Sequence, residues 1–182
     1  MSQVTEQENQ RLVGVRRCTK VVKGGRKFSF SVLVVVGDGK GRVGYGKGNA
    51  AEIPDARTKA TAAARRNMIR VPLKDGRTLH HDIVAKSCSG KVIMRSAPAG
   101  TGIIAGGALR PFLEVLGIKD IVVKSLGSSN SHNMIMAAME ALQNQESPRR
   151  VAEKRGQSVG AILRYRSRNT TTTSTAQQTN EE

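Results

Sequence analysis

The chain has 182 residues, of which 30 are Lys or Arg and 14 are Asp or Glu, giving a formal net charge of +16. Its hydrophobic fraction of 38% allows a folded core, while aromatics make up only 3% and Trp is absent. The longest aliphatic run, Val32 to Val36, cannot cross a bilayer. Cys18 and Cys88 form no CxxC, and His80, His81 and His132 match no zinc spacing, so no disulfide framework, structural metal or membrane span is expected.

Residues 1–10 are acidic and polar and read as a disordered leader, neither a secretory signal nor an Arg-rich transit peptide. Residues 11–23 mix β-branched and basic side chains, and Lys23-Gly24-Gly25-Arg26-Lys27 reads as a turn. Phe28, Phe30, Val32, Val34 and Val36 alternate at period two and predict a strand with one apolar face. The stretch 37–41 is a hairpin turn by its Asp-Gly pair, and Arg42 to Lys47 returns as a Gly-rich strand. Pro54 then opens an Ala- and Arg-rich helix whose packing stripe is expected at Ile53, Ala56, Ala60, Ala63 and Ala64. The first domain, residues 11–72, is thus three strands plus a helix.

Residues 71–78 read as a linker by their Pro, Asp and Gly, and a second domain is expected over 73–166. Leu79 to Ser87 and Lys91 to Ser96 are its first predicted strands. The Gly-rich loop 100–107 leads into a helix near Ala108 to Leu116, Asp120 to Leu126 is a short strand, and Asn133 to Gln143 is a helix capped from Ser128 to Ser131. Pro148 opens a last helix. Leu163 to Arg168 and the Thr-rich tail 167–182 read as disordered. The fold class is α+β.

The charge is not spread evenly. Residues 11–110 hold 21 of the cations and only 5 of the acids. A face built for a polyanion explains that asymmetry. Arg16, Arg17, Lys20, Lys23, Arg26 and Lys27 cluster within twelve residues, and Arg42, Lys47, Arg65, Arg66 and Arg70 follow. Phe28 and Phe30 fall on the apolar strand face and are expected in the core, which argues against a base-stacking platform. Contact with the phosphates and shape of structured RNA fits better, with Gly24-Gly25 letting backbone approach a groove.

Nucleotide chemistry is the competing idea. Gly41 to Gly48 fits G-x-x-x-x-G-K, but Gly48 stands where Ser or Thr should hold magnesium, and the stretch continues a hairpin instead of entering a helix. The glycines are better explained by tight turns and close backbone approach. In the second loop, 100–107, the nearby acids Glu114 and Asp120 have no evident partner, and a packing loop or protein interface is favoured over a phosphate site. No G-x-S-x-G elbow exists, and His80, His81 and Asp82, adjacent on a predicted strand, point to alternate faces. No catalytic residue is expected.

Four blocks in this order, VVKGGRKFSFSVLVVVGDGKGRVGYGKG (21–48), AARRNMIRVPL (63–73), GTGIIAGGALRPFLEVLGIKD (100–120) and SPRRVAEKRGQSVGAIL (147–163), closely resemble the bacterial small-subunit ribosomal protein five family. The resemblance implies a double-stranded-RNA-binding-like first domain and a small α/β second domain with a left-handed βαβ crossover. It implies a cytoplasmic protein of the small ribosomal subunit that binds small-subunit rRNA and contacts proteins four and eight. It further implies a place along the path by which messenger RNA enters, and a part in accuracy and assembly. No cofactor and no small-molecule substrate is implied.

The family's protruding loop corresponds to residues 20–27, so Arg16, Arg17, Lys20, Lys23, Gly24, Gly25, Arg26, Lys27, Arg42, Lys47, Arg65 and Arg66 are the expected RNA contacts. Gly102 and Arg110 are expected at the interface with protein four. Lys27 departs from the family, which carries a larger or apolar residue there. A free double-stranded-RNA-binding regulator is the alternative. A phosphate-transfer enzyme, suggested by the Gly-rich loops and a likeness of the second domain to sugar-type kinases, lacks the acid pair that metal-assisted transfer needs.

Overall fold

The computed structural model of the chain describes residues 8–164. The expected leader over residues 1–7 and the Thr-rich tail over 167–182 lie outside the described residues. Compact packing divides the chain between Gln145 and Glu146.

The first unit contains two four-stranded sheets. In one, the order is β1-β2-β3-β4, from β1 (Asn9–Val22), β2 (Gly25–Gly37), β3 (Arg42–Ala50) and β4 (Ile69–Arg70), all antiparallel. Strand β1 takes up Asn9 and Gln10, which pair with Gly37 and Val36, so pairing starts inside the stretch read as leader. The β1–β2 hairpin closes through Lys23 and Gly24 alone, with Val22 opposite Gly25. The expected longer turn is therefore mostly strand. The register slips between Leu12 and Gly14, leaving Val13 as a bulge that packs on the core.

Strand β2 is covered on both faces in its second half. Val32, Val34 and Val36 pack with Ala56, Ala60 and Ala64 of helix α1 (Ile53–Arg66). Leu33 and Val35 join a larger cluster with Val92, Phe112 and Leu113. A strand buried on both sides reads as a continuous apolar run, and the expectation of one apolar face holds only for the α1 side. Of the predicted helix stripe, Ile53 is exposed and Ala63 half-buried, while Thr61 is buried instead.

The glycines of β3 explain how α1 lies so close. Gly44, Gly46 and Gly48 share one face, and a Cβ built on them would fall 2.2, 2.1 and 2.1 Å from the carbonyl oxygens of Ala64, Ala60 and Ala56. Successive helix turns thus seat on successive glycines, in line with the expected backbone approach. In the β2–β3 turn, Asp38 Oδ1 accepts from the amides of Lys40 and Arg42 at 2.7 and 2.9 Å, an Asx-type turn. The amides of Gly39 and Gly41 then donate to Val115 and Leu116 oxygens, both at 3.0 Å.

The second sheet runs β5-β6-β8-β7, from β5 (Ile83–Ser87), β6 (Gly90–Ser96), β7 (Ile103–Ile104) and β8 (Ile121–Ser125). Strands β5, β6 and β8 are antiparallel, whereas β7 pairs parallel with β8 around helix α2 (Leu109–Leu116). The predicted first strand begins only at Ile83. Leu79 is instead a fully buried plug, and Asp82 Oδ1 accepts from the Ser96 amide at 2.9 Å. Helix α2 buries Leu109, Phe112, Leu113, Val115 and Leu116 and ends at Gly117, in the left-handed region at φ 93°. Helix α3 (Ser131–Gln143) packs on β5 and β6, and Asn130 caps it by accepting from the His132 amide at 3.4 Å.

The second unit holds helix α4 (Pro148–Arg155), with Ser147 Oγ accepting from the Arg150 amide and Gly156 closing it at φ 61°. Glu146 pairs with Lys154. A further helical stretch spans 159–164, so Leu163, expected at the start of disorder, is helical.

Candidate nucleic-acid interface

Beyond the covered part of β2, the β1–β2 hairpin becomes an arm with solvent on both faces. Arg16, Arg17, Lys20, Lys23, Gly24, Gly25, Arg26 and Lys27 are all exposed. Cross-strand pairing fixes which face each side chain takes, because directly opposed residues share a face. Arg17 opposes Phe30, Thr19 opposes Phe28 and Val21 opposes Arg26, on the α1 side of the sheet. Arg16 opposes Ser31 and Lys20 opposes Lys27, on the other side. The arm is therefore cationic on both faces. Like charges placed directly opposite, as at Lys20 and Lys27, repel, and an anion laid between them relieves that cost.

The arm also corrects one reading. Phe28 is 49% exposed instead of buried, and the Arg17 guanidinium carbon lies 4.8 Å from its ring centroid. Phe30 is half-buried. The period-two pattern runs past the end of the covering helix, so the outer positions of the stripe lose their core. Gly25 has φ 133°, a conformation that requires glycine, whereas nothing lies within 4 Å of a Cβ built on Gly24.

The remaining predicted cations do not join the arm as one patch. Lys47, opposite Leu33, and Arg16 line a cleft with Asn130, Ser131 and His132. Arg42 opposes Arg70 across β3 and β4. Arg65, in the last turn of α1, donates through Nε to Glu8 at 2.7 Å, a half-exposed pair of small energetic weight. Arg66 borders a separate cavity of about 560 Å³ beside Tyr45, Met68 and Met139.

The Gly-rich loop 100–107 is organised by an acid that sequence reasoning left without a partner. Asp120, 2% exposed, accepts from the amides of Gly100 and Gly102 at 2.9 and 3.1 Å through Oδ1. Its Oδ2 accepts from Arg77 Nε and Nη2 at 3.0 and 2.9 Å. The bond from the Gly102 amide, with those from Arg77 and Gly100, outweighs burial and holds the carboxyl below the usual carboxylate range. The amides that a nucleotide phosphate would need are thus already occupied by the chain's own carboxylate. Glu114 likewise has a partner, Arg110 Nε at 3.1 Å one helical turn away. Gly102 is half-buried at φ 75°, and Arg110 is exposed. No local signal joins Arg77 to Asp120, because they lie 43 residues apart.

Among the described residues, no group of His, Cys, Asp and Glu could hold a metal, and no helix is long and apolar enough to cross a membrane.

Comparison with known proteins agrees with this architecture. Residues 9–72 match the N-terminal domain of ribosomal protein S5, and residues 85–155 match its C-terminal domain. Small ribosomal subunit protein uS5 of Ruegeria sp. (strain TM1040) is 60% identical over 153 residues, covering 84% of this chain and 82% of the relative. The same protein of the Wolbachia of Brugia malayi is 61% identical over 152 residues, covering 84% and 89%. That of Maricaulis maris is 58% identical over 156 residues, covering 86% and 78%.

Proposed function

Because the chain belongs to the ribosomal protein S5 family, we propose that it holds small-subunit rRNA through the β1–β2 arm, as a constituent of the cytoplasmic small ribosomal subunit. The protein is structural and performs no chemical step. Residues 11–72 are the principal RNA-holding domain and 73–166 the domain that meets neighbouring proteins.

The observation that carries this reading is the arm. It projects exposed Arg16, Arg17, Lys20, Lys23, Arg26 and Lys27, and within 9–37 the sequence has no Asp or Glu. A duplex backbone offers one charge per short step of its axis and repays such an array by counterion release. Arg110, exposed beside the loop that Asp120 fixes, and Gly102 within that loop fit an interface with protein four. Protein eight and the incoming messenger are the remaining proposed neighbours, and translational accuracy and subunit assembly are the processes served.

The test is equilibrium binding of the full chain to transcribed small-subunit rRNA across a salt series. Arg26→Ala with Lys27→Ala should weaken binding and flatten the log–log salt slope by about two, one per phosphate contact. An unchanged slope would remove the arm from the contact set. A tagged copy should also comigrate with small subunits through a sucrose gradient after a moderate salt wash. Recovery only at the top of the gradient would favour the free regulator of double-stranded RNA.

A further inference from the structure

Arg16 and Lys47 stand 31 positions apart in the chain, yet the fold brings both to one cleft of about 340 Å³. Its opposite wall is the start of α3, at Asn130, Ser131 and His132, from the other half of the first unit. No carboxylate lines it. The Arg16 Nη2 donates to Asn130 Oδ1 at 3.1 Å, and the same oxygen caps the His132 amide. The guanidinium is thereby anchored at the helix start with donors left over, since a guanidinium carries five. His132 Nδ1 is buried with no hydrogen-bond partner, and Lys47 lies close enough to add to burial in lowering the His132 pKa. Arg16, held by Asn130, and Lys47 thus converge in a cleft that no acid lines.

We propose that this cleft takes a phosphodiester group of the RNA between Arg16, Lys47 and the first turn of α3, so that both halves of the fold hold one strand. The inference rests on the RNA-binding reading above and deepens it. The cleft occupies the sheet face that carries Lys20 and Lys27 farther out, so a backbone following that face of the arm runs into it. The chemistry suits a phosphate. Arg offers planar paired donors, Lys a mobile point charge, and the opening amides of a helix lack intrahelical acceptors.

The experiment measures binding of the full chain to transcribed small-subunit rRNA across a salt series, beside the melting temperature of each variant. Lys47→Gln should lower the salt slope by about one. Ser131→Asp places an acid in the first turn of α3, where the helix dipole favours it, so melting should stay level or rise. Binding should nevertheless fall by about tenfold or more, the loss of one charge-assisted contact. Gln143→Glu adds the same charge about 18 Å farther along the helix, beyond a Debye length, and should leave affinity unchanged.

If Ser131→Asp and Lys47→Gln bind like the wild type while Arg26→Ala with Lys27→Ala still weakens binding, the cleft is empty of RNA and the arm reading stands. Equal losses in Ser131→Asp and Gln143→Glu would mean a general field effect and would also overturn the site. Wild-type binding without salt dependence would overturn the RNA reading itself.

Discussion

The guanidinium of Arg77 holds one oxygen of Asp120 through both Nε and Nη2, at 3.0 and 2.9 Å, while the other oxygen takes the amides of Gly100 and Gly102. One buried carboxylate therefore fixes three backbone segments, the turn before β5, the Gly-rich loop and the start of β8. The loop that presents Gly102, and leads to Arg110, depends on it.

That arrangement has a pH signature. With its folded-state pKa held below the unfolded value of about 3.9, Asp120 contributes stability that is complete above that value. The contribution is lost as pH falls through the lowered folded value. Asp120→Asn should melt several degrees lower at neutral pH, because an amide cannot accept from Arg77 and both glycine amides together. The two melting curves should converge as pH is taken down towards 2. Parallel curves over that range would show that the carboxylate charge contributes nothing to the fold.

A second prediction concerns the β3 glycines. Gly46→Ala puts a methyl group against the Ala60 carbonyl, where backbone must move. It should cost about 1–3 kcal/mol in urea denaturation, the range for overpacking. Gly24→Ala, at the arm tip with open space around it, should change stability by less than about 0.5 kcal/mol. Equal effects at the two positions would show that close helix approach is not what these glycines serve.

Much of this was legible in the residues. The Asp-Gly turn, the Pro54 helix start and the Val stripe point to β2, β3 and α1, because each is a local signal, whereas β4 (Ile69–Arg70), a fourth strand beyond the three expected, is too short to leave one. What was not legible depends on contacts distant in sequence. Phe28 looks like a core residue until the length of the covering helix is known. Leu33 and Val35 look solvent-facing until a second cluster closes over them. The Arg77–Asp120 pair and the meeting of Arg16 with Asn130 leave no periodicity to find. The predicted cations are all exposed, but their division into an arm, a cleft and a helix end follows from cross-strand register, which depends on where the hairpin turns.

The opposed lysines of the arm offer a test that separates stability from function. Lys20→Glu converts a like-charge cross-strand pair with Lys27 into an attractive one. Stability should rise by about 0.2–1 kcal/mol. Affinity for small-subunit rRNA should fall at the same time. A variant both more stable and equally tight would show that this face of the arm does not meet the backbone.

His132 gives a further pH dependence. Burial, reinforced by Lys47, lowers its pKa from the usual value of about 6.5. The unfolded chain then binds the proton more readily, so this residue should reduce stability as pH drops below that value towards the folded pKa. Lys47→Gln should move the His132 titration upward, as followed by its ring-proton NMR shift. A titration unmoved by the substitution would mean that the ammonium group points away from the ring.

Arg110 tests the protein-facing side of the second domain. In the free protein its side chain pairs only with Glu114 among the described residues, at one helical turn and largely exposed. Removing such a pair costs about 0.2–0.5 kcal/mol, so Arg110→Ala should fold normally. Binding to rRNA should also survive, because the loop beside it is held by Asp120 and not by this guanidinium. If Arg110 instead braces a neighbouring subunit protein, the variant should change the frequency of misreading in a reporter assay while its RNA affinity and melting temperature stay level. Misreading equal to the wild type would remove Arg110 from that interface, and a large loss of RNA affinity would move it to the RNA-binding set.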